Sequence, residues 1–204
     1  MGAPARKLDE RYTYSDYLTW DDGKRWEIIN GEVWDMTPAP LLKHQRISRN
    51  LFFRLIEFLE SKSCEVFDAP TDVVFDEDNV VQPDILVVCD RSKPTDACVK
   101  GAPDLIVEIL SPSTGLKDRR EKKALYERFG VREFILVDPA NEIVERYTLT
   151  EGRYGSPDIF GWNEAMSLTL FPELELNLWE IFDKERITTV NEQSPRYPRH
   201  YRQS

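Results

Sequence analysis

Asp84-Ile85-Leu86-Val87-Val88-Cys89 and Asp104-Leu105-Ile106-Val107-Glu108-Ile109-Leu110 are the two stretches on which the fold turns. Each is apolar on both of its alternating faces, the pattern of a central strand covered on two sides. Each also carries a carboxylate that the pattern does not call for. Asp84 opens the first run, either as a polar strand end accepting turn hydrogen bonds or as a functional acid. Glu108 lies inside the second, on the face shared by Ile106 and Leu110, and a salt bridge at a sheet edge is its ordinary explanation. A buried carboxylate without a partner is costly, so it must be neutralised or must acquire a cation or hydrogen-bond donors. Asp104 shares the face of Glu108 but lies about 13 Å away along a strand, too far for the two to chelate one ion easily. Asp84 and Glu108 can converge if their strands are neighbours.

Outward from these runs, Trp26 and Ile28 alternate before the turn signal Asn30-Gly31, with Val33 and Trp34 after it, which predicts a hairpin over 25–35. Ile47, Leu51, Leu55, Phe58 and Leu59 recur at helical spacing and predict a helix over 42–61. Residues 65–67, 72–75 and 80–89 are rich in strand formers and suggest a meander. A second helix is expected over 116–129, stopped by Gly130 with Val131 behind it. Segments 133–137 and 143–148 flank the turn Asp138-Pro139-Ala140-Asn141 as antiparallel neighbours. Segments 164–171 and 174–182 close the domain as strands or a short helix. The expected class is α/β (α+β), a mixed central sheet flanked by helices. The expected boundaries are a flexible start over 1–12, a single domain over 13–190 and a basic polar tail over 191–204.

The 204 residues are 41% hydrophobic and 31% charged, a globular composition that excludes wholesale disorder and a coiled-coil rod. No apolar run approaches the ~20 residues that cross a bilayer, and the start is polar rather than signal-like, so a cytoplasmic protein without membrane contact is expected. Cys64, Cys89 and Cys98 form no CxxC pair, and reduced thiols are expected rather than a disulfide framework or a zinc knuckle. The formal charge is -10, from 27 basic and 37 acidic residues, which argues against a general nucleic-acid coat protein. The charge is uneven: residues 117–132 hold seven basic side chains against three acidic ones, and the tail adds Arg196, Arg199 and Arg202. This predicts a basic patch on an acidic body, or more plainly a solvated helix face.

On the second helix Leu125 and Phe129 define an apolar stripe, and positions 118, 122 and 126 fall beside it. Lys122 and Tyr126 therefore flank the core side, while Arg120, Lys123 and Glu127 point away. Lys122 either snorkels past the sheet edge or brings its ammonium to the carboxylates. Two acids on neighbouring strands and a lysine on the following helix suit metal-dependent hydrolysis of a phosphodiester. Carboxylates hold a hard cation such as magnesium or manganese, the cation polarises phosphate and activates water, and the lysine orients that water or offsets charge.

Gln82-Pro83-Asp84, then Val107-Glu108-Ile109-Leu110-Ser111-Pro112-Ser113-Thr114, then Asp118, Lys122, Tyr126, Gly130-Val131 and Val137-Asp138-Pro139 together resemble the Uma-type endonuclease family. That family belongs to the PD-(D/E)XK, or restriction-endonuclease-like, nuclease superfamily. The resemblance runs from about Trp26 to Tyr147 and takes in Trp26-Glu27-Ile28-Ile29-Asn30-Gly31-Glu32 and the Met36, Pro38 and His44 region. It implies a restriction-endonuclease-like core with Asp84 and Glu108 as Mg2+ or Mn2+ ligands on adjacent strands. Leu110 stands where the superfamily signature has a lysine, and the resemblance implies that this lysine has moved to the following helix, at Lys122. Glu27 and His44 match weaker family positions, the one as an added acid near the metal and the other as a contact to phosphate. Their plain alternatives are a surface-strand glutamate and a helix-start histidine. Tyr126 either packs over the site, bonding to Lys122 or Glu108, or belongs to the core.

The resulting expectation is a metal-dependent DNA endonuclease in which Asp84, Glu108 and Lys122 are catalytic and Glu27, His44 and Tyr126 are accessory. Lys117, Arg119, Arg120 and Lys123 are expected to meet DNA, and a homodimer is expected if both strands are cut. The competing expectation is a nuclease-like fold serving as a non-catalytic interaction or regulatory module.

Overall fold

The computed structural model describes residues 10–36, 41–111 and 115–185. Near its start a short helix, α1 (Tyr14–Tyr17), is held by a capping box in which the side chains of Thr13 and Asp16 each satisfy the other's backbone N–H. The predicted hairpin follows as β1 (Trp26–Ile29) and β2 (Glu32–Asp35). Asn30 and Gly31 take φ of 53° and 74°, the left-handed pair that a tight two-residue hairpin turn demands. The long helix α2 spans Leu42–Leu59 and buries the predicted stripe of Ile47, Leu51, Leu55 and Leu59.

Six short strands come next: β3 (Glu65–Asp68), β4 (Val73–Asp76), β5 (Asn79–Val81), β6 (Ile85–Val88), β7 (Val99–Lys100) and β8 (Leu105–Ile109). A bulged helix over 115–129 precedes β9 (Glu133–Asp138) and β10 (Ile143–Thr150), which pair antiparallel across the predicted turn. The chain closes with β11 (Arg153–Tyr154), β12 (Asp158–Gly161), β13 (Ala165–Ser167), β14 (Glu175–Asn177) and a helical turn, Leu178–Ile181.

These strands form two principal sheets. One has the order β11-β10-β9-β8-β6-β3, with β12 also on β10, and is mixed because β8 and β9 run parallel. The other has the order β2-β1-β5-β4-β7. Ile85, Val87, Leu105 and Val107 bury one face of the mixed sheet against α2. Leu86, Ile106, Phe134 and Leu136 bury the other against Leu125 and Tyr126 of the bulged helix and against Val73 and Val81 of the second sheet. Both central runs are thus covered on two sides, as their lack of alternation requires.

The expected meander does not form. Residues 80–89 break at Gln82-Pro83-Asp84, so that β5 belongs to one sheet and β6 to the other. Pro83 has no N–H to give a ladder, and the chain changes sheets where that bond would fall. One further expectation is corrected. Cys64 and Cys89 are joined by a disulfide rather than left reduced, because they face each other one step beyond the Glu65–Val88 pair of β3 and β6. Cys98 remains a buried thiol. Tyr12 is buried, and its N–H donates to the Gly31 carbonyl at 2.9 Å. The tail expected over 191–204 lies outside the described residues. Among the described residues no helix is long and apolar enough to cross a membrane.

Candidate metal and catalytic site

β6 and β8 are antiparallel neighbours with Ile85 opposite Val107, so the same register sets Asp84 opposite Glu108, on the same face. The condition for their convergence is met. Asp84 is fixed from two directions: its Oδ2 accepts the Ile109 N–H at 2.7 Å and lies 3.2 Å from His44 Nε2, delivered by the first turn of α2. Asp104 sits at the opposite end of β8, where it accepts the Cys89 N–H at 2.8 Å and meets Arg132.

Glu108 is buried and its Oε1 is held by two donors, Lys122 Nζ at 2.9 Å and the Tyr126 hydroxyl at 2.5 Å. Both donors come from the bulged helix, where positions 122 and 126 share a face. Lys122 Nζ also meets Glu27 Oε1 at 2.8 Å and Asp118 at 3.7 Å. Glu27 reaches in from β1, a strand of the other sheet, and is wholly buried. Its Oε2 takes Lys117 Nζ at 2.5 Å, and its Oε1 also accepts the Gln82 N–H at 2.9 Å. Glu27 is therefore neither a surface-strand glutamate nor an open acid. It ties the entry to Asp84, through Gln82, to the lysine helix.

The helix itself explains this convergence. Gly115–Lys117 and Lys123–Phe129 are α-helical, but Asp118–Lys122 between them is π-helical. A π turn closes over five residues, so Lys117 and Lys122 come to one side, which an α-helix would not allow. Such bulges recur at functional sites.

The electrostatics follow from burial and proximity. Burial raises the pKa of Glu108, and although Lys122 opposes this, Asp118, Asp84 and Glu27 add to it, so the carboxyl is pushed up to about 8. Burial has the same tendency at Glu27, but Lys122 and Lys117 outweigh it and hold the group below its ordinary value. Burial would depress Lys122, yet Glu108, Glu27 and Asp118 raise it well above 10.5, so it is an ammonium at neutral pH. His44 likewise is depressed by burial and raised on balance by Asp84. Tyr126 is raised, first by burial and then by Glu108, and stays a donor.

The expected DNA-binding residues scatter. Lys117, expected to meet DNA, is instead buried against Glu27, where the π turn brings it inward. Arg119 pairs with Glu145 and with Asp138, and the Lys123 ammonium lies 4.3 Å from the Tyr147 ring centre. Arg120 is exposed. Asp118 is a member of the cluster that sequence reasoning did not assign, although its i, i+4 spacing to Lys122 was the available signal. A cavity of about 420 Å³ opens beside His44, lined in part by Leu41, Leu110, Gly115 and Pro139.

Residues 14–179 match the Uma2 family, described as "Putative restriction endonuclease". The chain belongs to the Uma2 family. A relative from Synechocystis sp., "Uncharacterized protein slr1290", is 28% identical over 149 residues, covering 71% of this chain and 76% of that protein. Among solved structures, one from Anabaena variabilis is described as a putative nuclease belonging to DUF820. It superposes with a TM-score of 0.70 at 21% identity, over 84% of this chain and 97% of that one. That likeness concerns the fold, and it bears out the nuclease-like α+β architecture expected from sequence. In Uma2 terms, the resemblance drawn from Gln82-Pro83-Asp84 and the Glu108 strand is borne out.

Among the described residues, no three His, Cys, Asp or Glu side chains form a ready-made metal cage. The donor set nevertheless suits a hard cation. Asp84 and Glu108 offer carboxylate oxygens from opposed positions of neighbouring strands, Asp84 keeps 19% of its side chain open to solvent, and burial together with three neighbouring acids disfavours ionised Glu108. Mg2+ commonly binds through one or two carboxylates and keeps several waters.

Proposed function

We propose that this Uma2 protein is a Mg2+- or Mn2+-dependent DNA endonuclease whose metal ligands are Asp84 and Glu108. The observation that carries this reading is the cross-strand register of Asp84 and Glu108 with the Lys122 ammonium on Glu108. The family description and that of the Anabaena structure both support a nuclease role. A bound divalent ion would polarise the phosphate and lower the pKa of its water.

The side chains divide the remaining work. Lys122 is an ammonium, so it donates: it orients the attacking water by hydrogen bond and offsets negative charge developing on the phosphate. Tyr126 donates to Glu108 and fixes the carboxylate plane. Glu27 holds Lys122 in place and keeps it charged. His44 orients Asp84 and stands at the cavity, where a phosphate of the passing strand would meet it. Burial of Glu27, Glu108 and Lys122 keeps bulk solvent out, which strengthens each interaction relative to the surface. Arg120 faces solvent, available to the DNA backbone, and a homodimer would supply a second site for the opposite strand.

The test is direct. Purified protein is incubated with supercoiled, linear and single-stranded DNA plus Mg2+ or Mn2+, alongside Asp84→Ala and Glu108→Ala. Each substitution should cut cleavage at least ~100-fold. Cleavage that survives both would remove the assigned site. Absence of cleavage on every nucleic acid by the unaltered protein would favour an interaction module instead.

A further inference from the structure

Both carboxylate oxygens of Glu27 are already engaged by donors. Oε1 accepts from Lys122 Nζ at 2.8 Å and from the Gln82 N–H at 2.9 Å, and Oε2 accepts from Lys117 Nζ at 2.5 Å, all without access to solvent. The Lys117 ammonium is itself confined: it lies 3.5 Å from Met36 Sδ and 5.7 Å from the centre of the Trp34 ring. Only 7% of its side chain is exposed, so it neither snorkels to water nor reaches outward to phosphate. It is a fixed positive charge placed on the far side of Glu27 from Lys122.

We infer that the site takes one divalent cation per chain, on Asp84 and Glu108, and that the Lys117 ammonium stands in for a second ion at Glu27. The inference rests on the metal reading above and narrows it. Lys117 and Lys122 between them occupy both oxygens of Glu27, whereas Asp84, opposite Glu108 on the neighbouring strand, meets neither lysine. In a two-metal site the second ion stabilises one of the oxygens of the displacement. Here the Lys117 ammonium already neutralises Glu27, so that carboxylate is satisfied before any ion binds.

Metal stoichiometry, read without DNA and without activity, tests this directly. Mn2+ is titrated into the metal-free full-length chain, free ion is counted by electron paramagnetic resonance, and heat is followed by calorimetry. The unaltered protein binds one Mn2+. Glu27→Gln, with its fold checked by circular dichroism, still binds one, and Asp84→Ala weakens binding about tenfold or more. Lys117→Met uncovers Glu27 and takes up a second Mn2+. Two ions on the unaltered chain, loss of the ion in folded Glu27→Gln, or a folded Lys117→Met that stays at one would each overturn the inference while leaving the metal reading in place. No ion on the unaltered chain overturns the metal reading itself and this inference with it. If Lys117→Met does not fold, the unaltered chain and Glu27→Gln still decide between one ion and two.

Discussion

At Glu27 a carboxylate is held ionised in the interior because two ammoniums and one amide replace the water it has lost. Removing one partner of a buried ion pair leaves the other uncompensated, so Glu27→Gln should lower stability by about 3–5 kcal/mol near neutral pH. The pH dependence has a definite sign. The folded pKa of Glu27 lies below its ordinary 4.5, so the unfolded state binds more protons there. Its stabilisation is present above 4.5 and is lost as pH falls through the depressed value. Urea unfolding carried downward from about pH 5 should therefore show a steeper loss for the unaltered protein than for Glu27→Gln, and parallel losses would contradict the charged assignment. Glu108 and Lys122 were legible in the sequence because each is a charge set in an apolar pattern. Glu27 was legible only through the family resemblance: on a short hairpin strand a glutamate looks like any solvent-facing residue, and only the second sheet folding over it makes it interior.

The bulged helix is the element that turns one legible lysine into a pair. With α-helical spacing, Lys122 and Tyr126 fall on the core side, and the structure agrees. The same spacing sends Lys117 to the solvated face, and there the π turn over Asp118–Lys122 overrides it. Nothing in Asp118-Arg119-Arg120-Glu121-Lys122 announces that extra residue; it is held by the partners that Lys117 and Lys122 find in Glu27 and Glu108. Deleting Arg120, which is exposed, should restore α-helical pitch and swing Lys117 away by about 100°. The loss of a buried pair should then cost about 3 kcal/mol or more, and cleavage should fall with it. Denaturant unfolding measures the first and the DNA assay the second. A deletion variant as stable and active as the parent would show that the bulge has no part in assembling the site.

For the molecule as a whole, the mixed sheet was legible from its two apolar runs and the second sheet was not. Residues 80–89 read as one strand because both halves are apolar, and Pro83 was the overlooked sign that the ladder stops. The disulfide was missed for a related reason: Cys64 and Cys89 meet only through the pairing of β3 with β6, which spacing along the chain does not disclose. The charge of -10 also gains detail, since Lys117 and Lys122 are spent internally, Arg119 is paired with acids and Lys123 lies over the Tyr147 ring. Of the four side chains expected to meet DNA, Lys117, Arg119, Arg120 and Lys123, Arg120 is the one left exposed. Binding followed by fluorescence anisotropy should be weak and metal-dependent, with a slope of log affinity on log salt of about -2 to -4. Tight binding without metal at physiological salt would contradict this.

The crossing at Gln82-Pro83-Asp84 makes the site a clasp. Glu27 grips from one sheet, Glu108 from the other, and Asp84 stands where the chain passes between them. The two sheets cannot part without pulling Glu27 off the Lys122 that Glu108 shares, so a partly opened molecule keeps no half-formed cluster of acids and lysines.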